Sequence, residues 1–145
     1  VAESVAEVFD TADVVCTLTP STEPLVTPDL LRPGQHVNAV GSPPRPHFRE
    51  LHAEVLAGAD RVVVDSIAVA TAESGNVVSA LAAGAIQEAA LVEIGAVLEG
   101  APGRVSDDDV TVYNSVGIGL QDLATVALLV DRALADGTAQ HVTLR

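Results

Sequence analysis

Short apolar runs of strand length recur along the chain, and segments with helical spacing separate them. Residues 14–18, 36–40, 61–64 and 110–113 are four such runs, rich in valine. Residues 2–12 place Val5, Val8 and Phe9 on one helical face. Segments 49–59, 66–73, 77–87 and 91–98 read as further helices. The longest helix is expected over 120–134, where Leu120, Leu123, Ala124, Ala127, Leu128 and Leu134 make a wide apolar face. A final strand is expected over 140–144.

The breaks between these segments carry their own signals. Thr27 and Pro28 suit a helix N-cap and first position. Pro43, Pro44 and Pro46 rule out helix or central strand after Gly41, because proline removes a backbone donor and fixes φ. The strand runs are apolar throughout, which predicts a parallel sheet covered on both faces, as in a doubly wound α/β fold. Ligands of such sheets bind beyond the carboxyl ends of the strands. That rule points to 17–20, 41–46, Ser66 and 115–119.

Composition narrows the function. Hydrophobic residues make up 48% of the 145 residues and mean hydropathy is +0.38, enough for a real core. The net charge of −13 repels phosphate backbones and argues against nucleic-acid binding. One cysteine, Cys16, excludes an internal disulfide framework. No apolar stretch has transmembrane length and no signal peptide is visible, which points to a cytoplasmic protein with no membrane role. The chain contains no methionine. It reads as an internal portion of a longer enzyme, the alternative being a processed mature chain.

Candidate chemistry is sparse. Gly117-Ile118-Gly119 follows a strand and opens a helix, but lacks the third glycine of a dinucleotide fingerprint. Two readings are open: a pyrophosphate loop, or close backbone packing at a strand-to-helix corner. Asp107, Asp108 and Asp109 diverge as neighbours and read as a solvated turn rather than a metal site. His36, His47, His52 and His141 lack ligand spacing. Arg45 lies on the proline-stiffened loop at a strand's end, where a cation can hold a carboxylate or phosphate; pairing with a surface acid is the alternative. Arg49 and Glu50 read as a structural pair opening a helix.

Taken in order, DVVCTLTPS at 13–21, LRPGQHVNAVGS at 31–42, RPHFREL at 45–51, RVVVDS at 61–66, ESGN at 73–76 and VTVYNSVG at 110–117 with LQD at 120–122 resemble the ornithine cyclodeaminase/mu-crystallin family. The resemblance runs over nearly the whole chain. It implies the C-terminal portion of a Rossmann-type NAD(P) domain over residues 1–116. Residues 117–145 would then return towards a dimerisation and substrate domain.

The implied chemistry passes hydride between NAD or NADP and the amine or imine carbon of a small amino acid or cyclic imine. Thr17, Thr19, Asn38, Ala39, Val40, Gly41 and Ser115 map to cofactor-binding positions, and Val116, with Arg45, to the substrate side. The aspartate that serves cyclodeaminases as acid and base has its counterpart near Ser42, Pro43 and Pro44, none of which exchanges a proton like a carboxylate. The catalytic residue is therefore unassigned. A family lysine appears as Phe48. The Arg45-Pro46 pair followed by Arg49-Glu50-Leu51 resembles the imine-reductase or amino-acid-dehydrogenase side of the family more closely. Ornithine cyclodeamination and non-catalytic, crystallin-like binding remain as alternatives. The Gly-rich turn and main substrate clamp of the family precede the matched region. The isolated chain is expected to be inactive and to pair with a missing N-terminal segment or with a second copy as a homodimer.

Overall fold

In a computed structural model of the chain, which describes residues 1–140, 142 and 143, five parallel strands form one sheet. They are β1 (Val14–Thr17), β2 (His36–Ala39), β3 (Arg61–Val64), β4 (Leu91–Glu93) and β5 (Thr111–Asn114), in the order β1-β2-β5-β3-β4. The helices are α1 (Val5–Thr11), α2 (Ala53–Gly58), α3 (Ile67–Glu73), α4 (Gly75–Ala82), α5 (Ile94–Leu98) and α6 (Gly119–Ala135). The chain is a parallel α/β sheet of the Rossmann-type, doubly wound class.

One sheet face carries the core. Val15, Val37, Ala39, Val112, Val62 and Val64 pack there against Phe9 of α1, Val55 and Leu56 of α2, Ala70 of α3, and Val77 and Ala80 of α4. Burying a Val or Leu side chain contributes roughly 1.5–3 kcal/mol, so this layer supplies most of the driving force. The carboxyl end of α1 is tied down by polar groups. Gln35, buried at the start of β2, donates from Nε2 to the carbonyls of Phe9 and Ala12, and Arg32 donates to the same two oxygens. Helix-end carbonyls that lack intrahelical partners are thereby satisfied.

The opposite face departs from expectation. Among the described residues only α5 lies against it, where Ile94 and Val97 line a groove with His36, Asn38, Val63, Arg104, Thr111 and Tyr113. Strand β1 alternates, with Val15 and Thr17 buried and Val14 and Cys16 exposed. Apolar runs thus marked the strands but did not require cover on both sides within this chain.

Three element boundaries also differ. Residues 91–98 hold a three-residue strand followed at once by a helix, rather than one helix. Residues 49–52 are not helical: Leu51 bridges Val26 in parallel, and the Leu25 and Val26 amides donate to the Glu50 carbonyl at 2.8 and 2.9 Å. Helix α4 ends at Ala82, ahead of Gly84 with φ 69°. Helix α6 forms where expected, and Leu120, Leu123, Leu128 and Leu134 are all exposed on it. The final strand expected over 140–144 falls partly outside the described residues, at His141 and Leu144; Gln140, Val142 and Thr143 are not in a strand.

Candidate functional site

Parallel strands bring their carboxyl ends to one edge of the sheet, so Thr17, Ala39, Val64 and Asn114 finish side by side. Ala39 pairs with both Thr17 and Asn114, and Asn114 with Val64. The loops leaving these strands carry Thr19, Val40, Gly41, Arg45, Ser115 and Val116, while Thr17 and Ala39 are the last residues of their strands. The edge is shaped by two buried acids.

Glu50 is 0% exposed. Its Oε1 accepts from the Thr19 amide at 2.6 Å and the Thr19 hydroxyl at 2.8 Å. Its Oε2 accepts from the Thr17 hydroxyl at 2.8 Å and the Gly41 amide at 3.1 Å. A carboxylate offers about four lone-pair sites, and all are used. Gly41 meets this arrangement by close approach: a Cβ there would fall 2.1 Å from the Thr19 nitrogen. Asn76, also buried, accepts from the Glu50 and Leu51 amides at 2.8 and 3.0 Å, which holds the acid from behind. The expected Arg49–Glu50 pairing is absent; Arg49 donates instead to the Thr22 carbonyl.

Asp65 organises the neighbouring strand ends, β3 and β5, in the same manner. It is 6% exposed, and Oδ2 accepts from the Ser115 hydroxyl at 2.7 Å and from the Val116 and Gly117 amides at 3.1 and 2.8 Å. Its Oδ1 accepts from the Ser66 amide at 2.9 Å. Gly117 has φ 82°, a conformation that favours glycine. Its amide is spent on Asp65, so the Gly117-Ile118-Gly119 turn is not a free phosphate cradle. Nothing lies within 4 Å of a Cβ built at Gly117 or Gly119, so close packing does not explain the glycines either; the positive φ explains the first.

The remaining candidates separate. Thr17, Thr19 and Gly41 converge on Glu50, and Ser115 and Val116 converge on Asp65. Ala39 turns its side chain into the core, and Val40 is exposed, its amide donating to the Thr17 carbonyl at 3.2 Å. Asn38 points to the open face, where its Oδ1 pairs with the His36 ring at 3.2 Å and its Nδ2 donates to the Cys16 sulfur at 3.6 Å. Its side chain is turned away from the strand-end loops. Ser42 follows Gly41 directly; its hydroxyl is buried and has no partner among the described residues. Arg45 is exposed, and its guanidinium makes no hydrogen bond or ion pair among the described residues. Asp109 closes its own turn, accepting from the Val105 and Ser106 amides at 2.8 and 3.1 Å. Those bonds hold its carboxyl below the usual range. Among the described residues no cluster of His, Cys, Asp or Glu is arranged to hold a metal. No helix among them is long and apolar enough to cross a membrane.

Sequence reasoning missed Glu50 and Asp65 as organisers of the edge. The available signal was position: each is an acid beside a strand-end loop in a chain whose other acids lie mostly on helices and turns.

A parallel sheet with its loops gathered at the carboxyl ends is the architecture of dinucleotide-binding α/β domains. Within that class, residues 1–137 match the model of the ornithine cyclodeaminase/mu-crystallin family, and the chain belongs to that family. It is 35% identical over 133 residues to a Delta(1)-pyrroline-2-carboxylate reductase of Bacillus cereus, covering 90% of this chain and 40% of that one. It is 39% identical over 131 residues to the mouse ketimine reductase mu-crystallin, covering 90% and 39%. Its fold matches that of Thermococcus litoralis Delta(1)-pyrroline-2-carboxylate reductase in complex with NADH and L-proline. The TM-score there is 0.90 at 29% identity, over 97% of this chain and 44% of the other. The chain thus spans about two fifths of the length of these relatives.

Proposed function

We propose that the protein carrying this chain is an NAD(P)-dependent oxidoreductase acting on the amine or imine carbon of a small amino acid or cyclic imine. The observation that carries the reading is the gathering of Thr17, Thr19, Gly41, Ser115 and Val116 along one sheet edge, in a chain whose relatives include imine reductases. When bound, the nicotinamide supplies or accepts the hydride.

The edge fits a ligand on one direct count. The buried Ser42 hydroxyl has no partner among the described residues, and it lies in the loop that leaves β2. Buried hydroxyls are rarely left unpaired, so a ligand atom on this edge is a natural partner. Residues 17, 19, 38–41 and 115 are assigned to the nicotinamide-side portion of the cofactor site, the 38–41 segment through its backbone, since the Asn38 side chain turns to the open face. Thr17, Thr19 and Gly41 shape it by anchoring to Glu50 rather than by offering their polar hydrogens. Val116, whose amide is held by Asp65, borders the substrate. Arg45 supplies the exposed cation for a substrate carboxylate; Arg–carboxylate pairs form strong two-pronged bonds. Residues 117–145 belong with a second, dimerisation and substrate unit; support comes from the apolar side of α6, which is exposed among the described residues.

Titrating NADH and NADPH into the complete protein and following reduced-nicotinamide fluorescence tests the cofactor. Saturable binding of either is expected, and no binding of both would overturn the proposal. A non-catalytic binding role is the second reading, favoured by the absence of any carboxylate in the loop 42–48. Cofactor binding without turnover over a broad imine panel would establish it.

A further inference from the structure

Glu50 raises a question that packing does not answer. A carboxylate removed from water is costly unless paired, and no cation pairs with it among the described residues. Its partners are instead two amides and two hydroxyls from three residues: Thr17, Thr19 and Gly41. Thr17 ends β1, Thr19 lies two residues on, and Gly41 lies two residues beyond β2. The acid therefore ties the exits of two neighbouring strands to one rigid group. An apolar side chain would fill the space without fixing the relative heights of the two exits. An amide has only one acceptor oxygen and would turn an N–H₂ towards one pair of donors.

We infer that Glu50 is a positioning residue for hydride transfer. It presets the β1 and β2 exits, so that the surface met by the nicotinamide does not rearrange when the ligand arrives. The inference rests on the oxidoreductase reading above. Productive geometry in such sites has to be held to about 0.5 Å. The same bonds mean that the Thr17 hydroxyl hydrogen is engaged by Glu50 and is not offered to the cofactor.

The test uses the complete protein and the variants E50Q and T17V. For E50Q the expected result is a fall in kcat of about tenfold or more, since misplacement by about 1 Å can cost 100-fold. The dissociation constant for NAD(P)H should stay within about threefold of wild type, because tight dinucleotide binding draws largely on diphosphate contacts. A primary deuterium isotope effect with 4-deuterated cofactor should rise towards its intrinsic value. T17V should show the same pattern in smaller measure, and it carries the test if E50Q does not fold. A merely structural Glu50 would lower the melting temperature and leave kcat of the folded protein unchanged; that result overturns the inference. So does a T17V variant that loses cofactor affinity with kcat intact. Wild-type protein without turnover overturns the parent reading and this inference together. Active wild type with unaltered variant kinetics overturns this inference alone.

Discussion

Asn76 lies directly behind Glu50. Its Oδ1 accepts from the Glu50 amide at 2.8 Å, while its Nδ2 donates to Asn114 Oδ1 at 2.8 Å. Asn114 in turn donates to Ser74 Oγ at 2.9 Å. One buried side-chain amide thereby joins the loop that shapes the β1 and β2 exits to the last residue of β5. The network is fully enclosed, so each bond lost leaves an unmet buried polar group.

Replacing Asn76 by alanine should therefore be among the most damaging single changes. It leaves the Glu50 and Leu51 amides and the Asn114 side-chain oxygen short of partners. A loss of about 2–4 kcal/mol in unfolding free energy is expected, measurable by urea denaturation.

Asp65→Ala should cost about 2–3 kcal/mol by freeing the Val116 and Gly117 amides, and Asp65→Asn less. On the proposed reading both variants also raise KM for the imine or amino-acid substrate, because Val116 borders it. Steady-state kinetics against each substrate in turn separates this from a simple loss of folded protein.

Gly41→Ala places a methyl group against the backbone of Thr19 and Leu18, which cannot swing aside. A destabilisation of about 1–3 kcal/mol is expected from the crowding, together with reduced cofactor binding. Ser42→Ala should instead leave the melting temperature close to wild type, since its hydroxyl has no partner among the described residues, and weaken binding of the ligand.

Acid should loosen the 104–109 turn in a particular way. Asp109 is held below the ordinary carboxylate range by the Val105 and Ser106 amides. A group depressed on folding contributes stability above its unfolded value, and that contribution is lost as pH falls through the folded one. The Val105 and Ser106 amide signals should thus shift only below the range where free carboxylates titrate. Asp109→Asn should abolish that step in an NMR pH titration.

The strands could be read from sequence because valine-rich runs of fixed length, bounded by turn residues, have few other uses. β4 escaped because Leu91–Glu93 runs into Ile94 with no glycine or proline between them, and a three-residue strand carries no periodicity. The extended course of residues 49–52 escaped for a different reason. Its local pattern suits a helix, and pairing with Val26 overrides it through contacts distant in sequence. The strand-end candidates at Thr17, Thr19, Gly41, Ser115 and Val116 were accessible from motif order. The acids that hold them were not, because the burial of Glu50 depends on α4 and β2 arriving around it.

Chemistry at an amine or imine carbon, driven by NADH or NADPH, is open to one decisive assay. The complete protein is offered each reduced cofactor with a panel of cyclic imine carboxylates and of 2-oxo acids plus amine. Loss of the reduced-nicotinamide absorbance with matching formation of the amino acid is predicted. Absence of consumption with both cofactors across the whole panel would contradict the assignment.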